Sequence, residues 1–194
     1  PHSSWDATKA AHLLKRTHGS ATFSDIQHYT NMELDATVTD LLKNREKPDK
    51  PGDWVEEIIP DFRNMTASQR QEYQTLYRDR RVALVDWWIN LIMKDDISIR
   101  ENMTLFWHEH FATNAQKVYF PQAVFEQNDV IREYGLGNFK TLLRKITFGP
   151  AMMIWLDARR SKKKSPNENF PRELLELFTM GVDTYSQEDV EAAS

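Results

Sequence analysis

The sequence predicts an all-α fold, an irregular bundle of about eight to nine helices with no substantial sheet. Three observations carry this reading. Capping signals recur at Ser24-Asp25-Ile26-Gln27, Thr66-Ala67-Ser68-Gln69 and Ser98-Ile99-Arg100-Glu101, each setting a hydroxyl three residues ahead of an amide or carboxylate. Apolar residues between them recur at helical rather than alternating spacing. Gly19, Gly135, Gly137, Gly149 and Gly181 stand where such runs end.

Ser4 is placed to cap a first helix reaching about Thr17, with Ala10, Ala11, Leu13 and Leu14 as its apolar face. Ser24 and Gln27 make a capping box for a short second helix. A third begins near Asn31 and runs to about Arg45, with Leu34, Val38, Leu41 and Leu42 periodic. Residues 46–65 then read as a Pro-containing loop, because Pro48, Pro51 and Pro60 forbid a regular helix there. Trp54, Ile58 and Ile59 are expected to pack it back onto the body.

Thr66 opens the longest helix, about Ala67 to Met93. Tyr73, Tyr77, Leu84, Trp88 and Leu91 lie on one face and Leu76, Trp87 and Ile92 widen it, the pattern of a central helix touched on more than one side. Ser98 opens the next. Asn138 caps Phe139–Phe148, and Pro150 suits a first helical position before Ala151–Ala158. A loop over Arg159–Ser165 leads into a helix ending by Gly181, and Ser186-Gln187-Glu188-Asp189 starts the last.

With 40% hydrophobic and 11% aromatic residues, the 194-residue chain has material for a single helical domain, or for the N-terminal portion of a longer helical protein. A net charge of −4 offers no general attraction to nucleic acid, and the basic run Arg159-Arg160-Ser161-Lys162-Lys163-Lys164 reads as a solvated loop. The absence of cysteine excludes disulfides, thiolate metal sites and thiol catalysis. No apolar run approaches the roughly 20 residues that span a bilayer. Pro1 in place of Met, with no signal-like segment, is expected of a processed or trimmed chain.

Two stretches carry polar groups in apolar company. In Met103-Thr104-Leu105-Phe106-Trp107-His108-Glu109-His110-Phe111, helical geometry sets His108 and His110 about 200° apart. His110 falls within the arc of Ile99, Met103, Phe106, Trp107 and Phe111 and reads as a core imidazole. His108 lies opposite, with Glu101 and Thr104, and is the better candidate for a functional cavity. The two cannot chelate one ion, and the spacing of a zinc protease, His at i and i+4 with Glu between, is absent.

The second stretch is Pro166-Asn167-Glu168-Asn169-Phe170-Pro171-Arg172-Glu173-Leu174-Leu175-Glu176-Leu177-Phe178. Pro171 requires the helix to start at about Glu168 to Phe170. Phe170, Leu174, Leu177 and Phe178 would be its buried face, and Asn169, Glu173 and Glu176 share one flank, with Arg172 beside Glu168 and Glu176. Carboxylates one turn apart can serve as metal ligands, as an acid/base pair or as ion-pair partners for Arg. Glu101, His108, Glu173 and Glu176 together would supply a His/carboxylate metal set of the kind held in helical bundles, although Glu-x-x-His on two helices is missing. A hydrolase would use His108 with Glu173 or Glu176, and Arg172 beside them. Otherwise these residues, with His110, Asn167, Glu168 and Asn169, make a structural polar cluster latching two helices. No catalytic triad, phosphate loop or cofactor-binding motif is present.

Ala10-Ala11-His12-Leu13-Leu14-Lys15-Arg16, Trp87-Trp88, Met103–Phe111 with Ala112-Thr113, Gly137-Asn138-Phe139-Lys140-Thr141-Leu142-Leu143, Pro150-Ala151-Met152-Met153, and Pro166–Gly181 with Tyr185 to Asp189 resemble a bacterial family, domain of unknown function 1800. The chain departs from that family's pattern at His18, Glu109 and Pro171. Resemblance to the family implies a bacterial protein, often exported and so extracytoplasmic, in the periplasm or at the cell surface. It also implies a gene neighbour of alkaline-phosphatase or sulfatase-like fold as a protein partner, and a C-terminal remainder of the same protein as another. It supplies no catalytic residue. Two functions are therefore in view: a helical module acting in envelope or surface assembly, and a hydrolase with or without a metal.

Overall fold

The computed structural model describes residues 4–43, 46–94, 97–158, 161–162 and 166–194. Among them are eleven α-helices and no sheet. In chain order these are α1 (Ala7–Thr17), α2 (Phe23–Asn31), α3 (Leu34–Leu41), α4 (Ala67–Lys94), α5 (Arg100–His110), α6 (Ala115–Val118), α7 (Pro121–Tyr134), α8 (Phe139–Thr147), α9 (Pro150–Trp155), α10 (Asn169–Glu176) and α11 (Gln187–Ala193). Short 3-10 turns at Asp53–Glu56 and Phe62–Asn64 interrupt the proline-containing loop. The expected helix end at Arg45 and most of the basic run (Arg159, Arg160, Lys163, Lys164) lie outside the described residues.

Several caps form where sequence places them. Thr66 and Gln69 exchange bonds at 2.9 and 3.3 Å, Asn138 accepts from the Thr141 amide, and Ser186 and Asp189 complete a capping box. Elsewhere a better acceptor wins. Asp6, not Ser4, caps α1 through the Lys9 amide. Thr22 pairs with Asp25 to cap α2, and Ser24 is drawn into a bond with the Thr22 hydroxyl at 2.8 Å. Third-helix formation starts only at Leu34, and of its apolar residues Leu41 alone is buried.

Two cores result. Ala10, Leu14, Tyr29 and Leu41 join α1–α3. A larger one unites Phe111, Ile131, Leu142, Ile146, Met152, Leu156 and Phe178. Its hub is α7, which packs against α4, α5, α6, α8, α9 and the Asp53–Glu56 turn. α4 turns inward the face expected of it, Tyr73, Tyr77, Leu84, Trp88 and Leu91, and meets both α5 and α7, but it is not the hub. That helix is 28 residues long, about 42 Å, yet only Tyr77 and Leu84 are buried on it, while Val82, Val85, Ile89 and Met93 stay more than half exposed. Trp54 does fold back onto the body, whereas Ile58 is 92% exposed.

Gly135 ends α7 for a steric reason. A Cβ there would fall 2.9 Å from Trp107 Cδ1 and 2.6 Å from the Ile131 carbonyl, in the space that lets the Trp107 indole donate to the Gly135 carbonyl at 2.7 Å.

Candidate functional site

The expected polar cluster begins with Glu101, but its partner is one the sequence hid. Glu101 is the second residue of α5, and Asn128 and Arg132 lie one turn apart on α7. Arg132 donates from Nε to Glu101 Oε1 at 2.7 Å and from Nη2 to Oε2 at 2.9 Å. Its Nη1 donates to Asn128 Oδ1 at 2.7 Å, so each guanidinium nitrogen has an acceptor. From α4, Trp88 Nε1 donates to Glu101 Oε2 at 2.9 Å, and the guanidinium carbon sits 5.0 Å from the centre of the Trp87 ring. The Arg132 and Glu101 side chains are 2% and 9% exposed. Glu101 is turned onto Arg132, and α5 starts from Ile99 with no side-chain cap bond rather than from a Ser98–Glu101 capping box. Ser98 Oγ accepts from the Arg100 amide at 3.3 Å.

Above this pair opens a cleft of about 670 Å³, lined by Trp87, Asn90, Leu91, Lys94 and Arg100, with Lys50 on the loop side. Trp87 holds the loop there by donating from Nε1 to the Asp49 carbonyl at 2.7 Å.

The histidines separate as the helical wheel requires, but both sides of α5 are covered. His110 Nε2 lies 3.0 Å from the Phe178 carbonyl. A carbonyl only accepts, so Nε2 carries the proton. His108 lies on the opposite face with Glu101 and Thr104, and that face is buried too. Its ring rests on Trp88, centroids 4.8 Å apart, and burial holds its pKa below the usual 6.5 against the pull of neighbouring Glu109. Phe106, placed by periodicity on the core side, is 53% exposed.

The second stretch starts its helix where Pro171 demanded, with Glu168 as the flanking residue and Pro171 buried in the first turn. Asn167 ties it to the end of α9, donating from Nδ2 to the Leu156 and Asp157 carbonyls at 3.0 and 2.9 Å. Its Oδ1 accepts from the Asn169 amide at 3.1 Å. Glu168 accepts from Gln187 at 3.0 Å and, at 3.4 Å, from Arg172, which also donates to Gln187. Glu176 accepts from the Tyr185 hydroxyl at 2.6 Å, a bond that raises the Tyr185 pKa. Leu177 follows the helix end and is 56% exposed rather than buried.

The two stretches therefore meet, through His110 and the Phe178 carbonyl and through the Phe111 and Phe178 rings at 5.8 Å. They do not meet through carboxylates. Glu173 and Glu176 make no hydrogen bond to either histidine, and Glu101 is committed to Arg132 and Trp88. Among the described residues no group of three or more His, Asp or Glu side chains is arranged to hold a metal ion, so Glu101, His108, Glu173 and Glu176 do not assemble as a ligand set. Sequence reasoning missed Asn128 and Arg132, and it placed Trp88 on the inner face of α4 without its bond to Glu101. The available signal was the Asn128/Arg132 pair, four apart on a helix whose other residues include the fully buried Ile131.

Fold and site define an all-α protein whose motif residues pin α5 to α4, α7 and the end of α10. The chain matches the family described as "Protein of unknown function (DUF1800)" over residues 12–194, and it belongs to that family. No curated protein and no solved structure matches it.

Proposed function

We propose that the chain is a partner-binding helical module of an exported bacterial protein, acting in envelope or surface assembly. The observation that carries this reading is the outer face of α4. Val82, Val85, Ile89 and Ile92 recur there at intervals of three and four residues, with Met93 beside them, and their exposures are 56, 55, 52, 37 and 77%. A row of β-branched side chains left partly in water is a standing gain for any surface that covers it, for each about half of the roughly 1.5–3 kcal/mol that burying a fully exposed side chain gives. No described helix is long and apolar enough to cross a membrane. An extracytoplasmic setting and a first candidate partner, a protein of alkaline-phosphatase or sulfatase-like fold, rest on the family resemblance.

Commitment of the motif residues supports the module over a hydrolase. The hydrolase in view pairs His108 with Glu173 or Glu176, and His108 instead lies against Trp88. The test is a Val85→Asp/Ile89→Asp chain, compared with the unchanged chain for co-isolation of that candidate partner from the native host. The expected result is an unchanged far-UV spectrum and thermal midpoint with loss of the partner. Equal recovery of the partner by both chains would sink the assignment of this face.

A further inference from the structure

The exposed face of α4 has an order as well as a composition. Thr75, Arg78, Val82, Val85, Ile89 and Ile92 follow one another at alternating steps of three and four residues. On a helix those steps keep them in one nearly straight line along the axis, opposite the Tyr77 and Leu84 side that packs on the body. From Val82 onward the line is apolar. It stops at Arg78, which is 68% exposed and donates to Asp79 at 2.9 Å. One edge of the line is acidic. Glu72, Asp79 and Asp86 recur there every seven residues, all exposed, and among the described residues Arg78 is the one cation that pairs with any of them. The other edge is Gln74, Arg81 and Trp88. Arg81 donates to the Tyr119 carbonyl at 3.1 Å and Trp88 to Glu101 at 2.9 Å, so both turn into the body.

A narrow apolar line at that spacing is the footprint of another helix. Side chains of a partner helix seat as knobs between residues spaced this way, and β-branched residues hold the holes open because they are stiff. A β-strand presents its side chains at intervals of two and finds no matching row. The acidic edge then decides which helix. Two copies of α4 laid antiparallel would set their acidic rows against each other, and like charges across a seam oppose pairing. Laid parallel, each acidic row would face Gln74, Arg81 and Trp88, and the latter two are already engaged inside their own chain. A helix with lysine or arginine along the edge of its own apolar seam meets both demands.

We infer that the outer face of α4 docks an amphipathic α-helix of another protein, its apolar seam on Val82–Met93 and its basic edge against Glu72, Asp79 and Asp86. This rests on the reading of α4 as the partner-binding face and gives the partner its chemistry. The apolar residues supply the contact area, and the acidic row selects the helix and its direction.

The probe is a fluorescent synthetic peptide of about four heptads, with Ile at a, Leu at d and Lys at e and g; its control carries Glu in place of Lys. Like charges keep either peptide from pairing with itself. Anisotropy is followed as each is titrated with the full chain. The expected result is saturable binding of the lysine peptide, about tenfold or more tighter than that of the glutamate peptide, and lost in Val85→Asp/Ile89→Asp. That variant adds negative charge, so its loss of a basic peptide excludes mere charge attraction. Asp79→Lys/Asp86→Lys, both on the surface, should reverse the preference between the peptides. Equal binding of the two peptides, or an unchanged preference in the reversed chain, overturns the basic helix. So does a dimer of the chain in sedimentation equilibrium that Val85→Asp/Ile89→Asp abolishes, because a second copy would then occupy the face. Failure of the helix is separable from failure of the face. Without any peptide preference, a native partner still lost on Val85→Asp/Ile89→Asp keeps the face and removes the helix, whereas a partner recovered equally removes both.

Discussion

Two arginines divide the molecule. Arg132 and Arg80 each hold a glutamate through two close contacts, and each lies over a tryptophan ring, at 5.0 and 5.6 Å. Arg132 satisfies all three guanidinium nitrogens inside the protein, with a carboxylate that itself gains a bond from Trp88. Arg80 satisfies one, with a glutamate mostly in water. The difference is one of completeness. A closed network leaves no donor unmet and serves to hold α5 on α7, whereas an open one leaves buried donors without an acceptor.

The sharpest way to break the comparison is at Glu101. Glu101→Ala leaves the Arg132 charge buried without its counter-ion, and a loss of about 3–5 kcal/mol in unfolding free energy is expected from denaturant titration. A loss under about 1 kcal/mol would mean that the pair latches nothing. Replacing both partners, Glu101→Leu with Arg132→Met, should cost less than Glu101→Ala alone, because no charge is stranded. Trp88→Phe keeps the packing against His108 and removes one donor to the carboxylate, for a smaller cost of about 1–3 kcal/mol in the same titration.

These contrasts show what the sequence could convey. Pro171 and Asn138 were legible because their effect is local: a fixed φ and a side-chain cap decide a helix start whatever lies around it. The inner face of α4 was legible as well, since Tyr77 and Leu84 are buried and Trp88 turns inward as their spacing requires. Its width was not, because how far burial extends beyond that face depends on where α7 lies, and Leu76 and Ile92 stay 40 and 37% exposed. Helical geometry correctly separated His108 from His110 but could not say that a second layer covers the far side of α5. Arg132 was passed over because an arginine on a mixed helix reads as solvated until a buried carboxylate is seen opposite it.

His108 gives a graded effect of intermediate size. Its folded pKa lies below the ordinary 6.5 because burial disfavours the imidazolium against Trp88. Above that value neither folded nor unfolded chain is protonated there, and stability is unaffected. As pH falls through 6.5 the unfolded chain takes up the proton first, so stability declines until the folded pKa is reached and then levels. His108→Gln should flatten the fall in unfolding free energy between pH 7 and pH 5. An identical slope in that variant would assign the pH dependence to other groups.

The smallest expected effect is the counterpart of the first. Glu57→Ala removes a carboxylate that contacts its arginine as closely as Glu101 does, at 2.7 Å, but from a position 55% exposed. Water screens that pair and already solvates the glutamate, so the loss should not exceed about 1 kcal/mol by denaturant titration. The guanidinium keeps its Trp54 face and its buried setting, and the donors it gains can be met by solvent from the side that Glu57 vacates. A loss of about 3 kcal/mol or more would place Glu57 with Glu101 as an obligatory counter-ion. The two arginines would then be equivalent.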